Sequence, residues 1–401
     1  MTEWRAQCFP NLSSIDGTDL YCSFVRSTSS TTESDHRVKA YTGYSFSDLR
    51  INVTVTHAGG GTMYFRDDGV SSTNVNIAFT TTGWFEDVTG EETVAANSLC
   101  NCFLDNAGTM MGNNIAIQEL LLSYRHAATD VSIMNGGNSG ANSTTFYFLL
   151  QSGTGETSEA NAQVAIQRNQ TAINLRTVLS SGTSTDGTVA LRIGGSTSAN
   201  LSIAYTGLGA FEDLVGSDSL TADQLVNFSV APTSGTIAPI LIQVDLQSAE
   251  SFWGRSFGSG QTFTTRNYYG FIVATLSTSI NTNYTAHMGS TNAGNLQTYI
   301  SVAGSGTRDV ALVVNTTIST NLAINVTSTG RLQDQTGSES IADTDAVQAT
   351  AASTGSAITI MNVLVELPWS AVAPPGALVG ALTAGRMLRG GLLQRGVLVG
   401  K

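Results

Sequence analysis

Three groups of residues in this 401-residue sequence have types and spacings that chemistry could use. The first is Gly254-Arg255-Ser256-Phe257-Gly258, which fits the G-x-S-x-G pattern of a hydrolase nucleophile elbow. Such an elbow needs a strand before it, a helix after it, and an acid and then a histidine downstream. Only His287 follows, and in surroundings rich in glycine and serine the pattern arises by chance. The second group is an acidic phrase written three times. Phe85-Glu86-Asp87 precedes Gly90-Glu91-Glu92-Thr93, Phe211-Glu212-Asp213 precedes Gly216-Ser217-Asp218-Ser219, and Leu332-Gln333-Asp334 precedes Gly337-Ser338-Glu339-Ser340. Paired carboxylates serve glycoside hydrolysis, but Gln333 removes one of the pair, and strand neighbours face opposite ways. The reading that fits all three copies is a strand-to-turn signature. In it Asp87, Asp213 and Asp334 hydrogen-bond the backbone beside Gly90, Gly216 and Gly337. Calcium held by oxygen-rich loops is the alternative.

The third group is Cys8, Cys22, Cys100 and Cys102. Cys100 and Cys102 share one face of a strand, which suits packing better than zinc, and the C-x-x-C turns of a zinc site are absent. Cys22, Cys100 and Cys102 align with apolar residues elsewhere in the chain, as buried cysteines do. A Cys8–Cys22 disulfide remains open. His36, His57, His126 and His287 are scattered, and there is no phosphate-binding loop. No catalytic site, metal or cofactor is expected.

The recurring phrase belongs to a larger repeat. Leu175–Leu246 maps onto 296–367 at an offset of 121, and onto 49–120 at an offset of 126 in the other direction. Asn74, Asn200 and Asn321 then fall together, as do Ile77, Ile203 and Ile324. So do Gly83, Gly209 and Gly330, and the register extends to Glu119, Asp245 and Glu366. A fixed internal period means copies of one domain. Within the second copy Val189, Leu191 and Ile193 alternate with Ala190 and Arg192, and Leu201, Ile203 and Tyr205 with Ser202 and Ala204. Ile240, Ile242, Val244 and Leu246 alternate with Leu241, Gln243 and Asp245. Period two with polar partners is a strand with one face buried and one wet. Seven or eight such strands per copy, without amphipathic helices, predict an all-β chain of three tandem β-sandwiches, with jelly-roll connectivity preferred over immunoglobulin-like.

The predicted organisation is an N-terminal arm over 1–18, sandwich repeats over 19–126, 145–247 and 268–367, and flexible connectors between them. A Gly-x-Leu basic arm follows over 368–401. Charged residues are only 12% of the chain and the net charge is −12, which argues against general nucleic-acid binding. The last 34 residues nonetheless carry Arg386, Arg389, Arg395 and Lys401 and no acid. With Leu378, Leu382, Leu388, Leu393 and Leu398 punctuated by glycine, this segment makes a poor lone helix. It reads as an assembly arm that orders against a partner chain. No apolar run is long enough to span a membrane, and the N-terminus lacks a secretory signal pattern.

The phrase as a whole is an alternating strand, Asn-x-x-Ile, Gly-x-Phe-x-Asp, a glycine turn and Thr221–Gln224. It resembles the tandem jelly-roll modules of tailed-bacteriophage virion proteins: head fibres, decoration proteins and tail-fibre modules. Repeat three departs from it at Arg331-Leu332-Gln333, and repeat one at Ala95-Ala96-Asn97. The resemblance implies a non-enzymatic structural protein of a virion surface, assembled in the host cytoplasm. It would be homo-oligomeric, partnered by capsid or tail proteins and able to meet a host glycan. A bacterial extracellular filament subunit or adhesin, and a carbohydrate-binding sandwich using Trp84, are the alternatives.

Overall fold

The computed structural model describes residues 3–8, 12–14, 17–23, 29–107, 114–126, 130–136, 143–148, 150, 155–166, 168–248, 254–269, 276–277, 286–287, 291–342 and 345–366. In the first third, Glu3–Cys8, Ile115–His126, Tyr44–Val55 and Gly83–Val94 lie side by side in one antiparallel sheet, with Leu12–Ser14 also on Ile115–His126. The facing sheet runs Ser29–Ser30, Leu20–Cys22, Ser98–Asn106, Gly61–Asp67 and Val70–Phe79, with Val38–Ala40 also on Ser98–Asn106. The first strand therefore pairs with the last, and the chain crosses between the two sheets at six of its ten connections. This is the double-sheet jelly roll.

The same order recurs twice. Asp130–Gly136, Ile237–Ser248, Gln170–Gly182 and Gly209–Leu220 build one sheet of the second sandwich. Gly254–Phe263, Ile358–Glu366, Thr291–Val302 and Gly330–Ile341 build its counterpart in the third. Each has its facing sheet, centred on Leu225–Pro232 in the second and Ala346–Ser353 in the third. The chain is an all-β protein of three tandem jelly rolls.

Three expectations are corrected. Residues 1–18 are not a structureless arm, because Glu3–Cys8 and Leu12–Ser14 are sheet strands. The flexible connectors likewise contain Asp130–Gly136 and Gly254–Phe263, the first strands of sandwiches two and three. Their glycines and serines hide a period of two, but backbone pairing with a long partner strand suffices to place them. The third correction is one of register. Ser123 pairs Ser47 where Asp245 pairs Ile173 and Glu366 pairs Gly294, whereas Glu119 pairs Asn52. Ser123, not Glu119, is the equivalent of Asp245. The connection before the last strand spans 107–114 in repeat one but only 233–236 and 354–357 in the others, so an ungapped offset slips by four there.

The core follows the alternation. Leu201, Ile203 and Tyr205 are buried while Ser202 and Ala204 turn outward. Each long central strand carries a bulge at an Asx residue of positive φ, Asp48, Asn174 or Asn295. Short polar side chains tolerate that region better than most. The buried apolar residues of sandwiches one and three form one continuous cluster. Those of sandwich two form another, which Leu364 of sandwich three joins. Ile242, Val244 and Leu246 face that second core as predicted. Leu241, Gln243 and Asp245, on the face expected to be wet, are also buried, at 1%, 0% and 1% exposure. A neighbouring sandwich covers them.

Candidate functional site

The acidic phrase is a clamp between the fifth and sixth main strands of each jelly roll. Asp87 Oδ1 accepts from the backbone N–H groups of Thr89 (3.2 Å) and Gly90 (2.9 Å), and Oδ2 from Asn76 N–H (3.3 Å). Asp213 does the same with Val215, Gly216 and Ser202, and Asp334 with Thr336, Gly337 and Ala323. A carboxylate already satisfied by three N–H donors is a poor cation ligand. Among the described residues no cluster of three or more His, Cys, Asp or Glu could hold a metal. Each Asp thus holds the backbone N–H groups beside its glycine and one N–H of the neighbouring strand.

The glycines are required by close approach. A Cβ on Gly90, Gly216 or Gly337 would sit 2.0, 1.9 or 2.1 Å from the carbonyl oxygen of Asn74, Asn200 or Asn321. A serine completes each clamp, and the recurrence of Ser72, Ser198 and Ser319 at the repeat offsets was the signal for it. Ser198 Oγ accepts from Asn200 N–H (3.0 Å) and Leu201 N–H (2.8 Å) and donates to Asp218. Ser72 and Ser319 repeat this with Glu92 and Glu339. The acid five residues after each clamp Asp thus anchors a serine. Of the Glu86-type acids, Glu86 pairs with Arg50 and Glu212 with Arg176 and Lys39. The clamp Asp, the serine-bound acid and the Glu86-type acid of a phrase thus have separate structural partners.

Other candidates resolve simply. Gly254–Phe263 is a strand along its whole length, paired with Ile358–Glu366, so the G-x-S-x-G stretch has no elbow and no helix after it. Cys22, Cys100 and Cys102 are buried free thiols in the core, so the Cys8–Cys22 disulfide is not formed. Burial pushes the Cys100 thiol well up. Trp84 is 40% exposed, and the positions equivalent to it carry Ala210 and Arg331. The assembly-arm residues Leu378, Leu382, Arg386, Leu388, Arg389, Leu393, Arg395 and Leu398 lie outside the described residues.

What sequence reasoning missed is how the sandwiches join, and side-chain hydrogen bonds mark two of the joints. At the first joint, the Gln243 side-chain amide lies against Lys39 like one rung of a sheet. Its Nε2 donates to Lys39 O (2.8 Å), and its Oε1 accepts from Lys39 N–H (3.1 Å). Arg176 Nη1 donates to Arg37 O (2.9 Å), and Lys39 Nζ pairs with Glu212 (2.7 Å). Beside Gln243 lies Asp245, fully enclosed. Its carboxylate accepts from Asn174 Nδ2 (3.1 Å) and Gln243 Nε2 (3.4 Å). Burial pushes its pKa up to about 7, against the downward pull of those two hydrogen bonds. Burial also raises the pKa of Tyr41, which faces Glu212, Arg176 and Asp245 across the joint.

The second joint uses the same faces. Gln163 stands where Arg37 stands, and its carbonyl accepts from Arg331 Nη2 (3.2 Å) and Asn362 Nδ2 (3.3 Å), while Gln335 donates to Asp223. In both joints, then, the carbonyl just before a short strand of one sandwich is capped by side chains from the next. Buried polar groups satisfied across an interface fix its geometry.

The fold places the chain in the class of tandem jelly-roll proteins. No family model matches it, and no curated protein matches it. Among solved structures it is similar to a chain described under "The Triple Jelly Roll Fold and Turret Assembly in an Archaeal Virus". Identity is 16% over 82% of this chain and 79% of that one, with a TM-score of 0.20. It is also similar to a chain from the atomic structure of Sulfolobus Turreted Icosahedral Virus, at 14% identity over the same shares, with a TM-score of 0.18. At these TM-scores the chains do not superpose as wholes, so the fold rests on the strand pairing above.

Proposed function

We propose that this chain is a structural protein of a virion surface that acts by assembly and not by catalysis. The observation that carries the reading is the construction of its body. Three jelly rolls of one design are held through repeated faces by buried side-chain-to-backbone bonds, and the recurrent acids of each are used up inside structural clamps. Double-sheet jelly rolls recur in viral capsid and lectin domains. A chain low in charge and built of paired strands suits a rigid external block. We read it more finely as a capsid-decoration, head-fibre or tail-fibre component. It meets other capsid or tail proteins, oligomerises through its Gly-x-Leu arm, and presents its sandwiches outward, where a host glycan is a further partner.

Antibody raised against the purified chain tests this by immunogold microscopy. Label on the outside of particles shed by the producing host is the expected result. Label confined to the cell envelope would overturn it in favour of an adhesin or filament subunit.

A further inference from the structure

The two joints share faces but not contents. In the second, the positions equivalent to Val178 and Ala210 carry Tyr299 and Arg331. The Arg331 guanidinium lies over the Tyr299 ring, 6.0 Å from its centroid, and donates to Gln163 O. In the first joint those positions carry the smaller Val178 and Ala210. What remains is a cleft of about 380 Å³ between sandwiches one and two, lined by Arg37, Leu99, Arg176, Val178, Ser180 and Ala210 among others. That volume falls in the range of small-molecule sites, about 300–1,000 Å³.

The charged residues that line the cleft, Arg37 and Arg176, are both cations. Glu33 is shared by Arg37 (2.9 Å) and Arg66 (3.0 Å), and Glu212 by Lys39 (2.7 Å) and Arg176 (3.3 Å). Each lining arginine thus faces a carboxylate outside the lining that it shares with a second cation, Arg66 or Lys39. Hydrogen-bonding capacity is also left over. Arg37 Nε is buried without a partner among the described residues. Arg176, 4% exposed, donates from Nη1 to Arg37 O and lies 3.3 Å from Glu212 through Nε, which is itself buried without a hydrogen-bond partner among the described residues. Guanidinium groups with unused N–H donors match the planar, two-oxygen geometry of a carboxylate. Leu99 and Val178 offer an apolar wall, and Ser180 a hydroxyl.

We propose that the cleft between the first two sandwiches binds a small carboxylate-bearing molecule, held by Arg176 and Arg37. The site is independent of how the chain assembles. A ligand there touches both sandwiches and stabilises their joint by mass action.

The test is calorimetric titration of the full chain with glucuronate, N-acetylneuraminate and benzoate, with glucose as the neutral control. Thermal unfolding is followed in parallel. At least one acid is expected to bind and raise the melting temperature, while glucose does neither. Binding confined to the sugar acids identifies an acidic sugar as the source of the carboxylate. Binding by benzoate alone identifies a non-sugar acid. Ala210→Arg installs the residue of the second joint and is expected to weaken binding at least tenfold. Arg176→Gln, which installs the counterpart residue Gln297, should do the same and serves if the first variant does not fold. No binding of any acid at millimolar concentration, or unchanged affinity in a folded variant, overturns the proposal.

Discussion

Asp245→Asn tests the physical account of the first joint. The carboxyl group is 1% exposed, and its hydrogen-bond donors are two neutral amides, from Asn174 and Gln243. Burial therefore outweighs them and moves its pKa from 3.8 to about 7. Below about pH 4 the group is protonated in folded and unfolded chains alike, and its contribution to stability is fully present. As pH rises from there toward 7, the unfolded chain releases a proton that the folded chain keeps, so stability falls. Above 7 the loss is complete, with a ceiling of about 4 kcal/mol, because each tenfold change in proton affinity is worth about 1.4 kcal/mol. Asparagine cannot ionise. Its oxygen accepts one of the two amide bonds, and its NH₂ faces the other donor at a cost of about 1–2 kcal/mol that does not vary with pH. The stability gap between variant and wild type should therefore swing toward the variant by about 3 kcal/mol from pH 5 to pH 8. Urea denaturation of both full chains at the two pH values, at one ionic strength, measures this swing. Asp67 and Asp105, also raised by burial, cancel in the comparison. A gap that stays constant across that range would refute the reasoning.

Two further outcomes follow from the clamps. Gly216→Ala drives a Cβ to 1.9 Å from the Asn200 carbonyl oxygen and should cost about 2–3 kcal/mol, read as a lower denaturation midpoint. Ser198→Ala leaves the N–H groups of Asn200 and Leu201 without their acceptor. The expected cost is about 1–3 kcal/mol, with faster hydrogen exchange at those two amides; unchanged exchange would contradict the assignment.

The jelly-roll bodies were legible because their cores obey simple alternation, as at Leu201, Ile203 and Tyr205. The turn signature was legible because Asp213 and Gly216 recur with identical spacing. The joints were not. Gln243 and Asp245 stand where an isolated sandwich would have its wet face, and nothing local says that another sandwich will cover them. The first strand of each sandwich was hidden for a different reason. Asp130–Gly136 and Gly254–Phe263 draw their order from pairing with a partner far along the chain. The slip at Glu119 came from a longer connection before the last strand, which spacing alone does not locate. The cleft beside Arg176 becomes visible only when Ala210 is compared with Arg331 in three dimensions.

The role proposed above, assembly through the Gly-x-Leu arm, can be tested directly in solution. The most direct measurement is the solution mass of the full chain beside that of a chain ending at Leu367. Oligomers formed by the full chain and monomers by the shortened one are the predicted result. Monomers in both cases, at the highest concentrations at which the chain stays in solution, would contradict it.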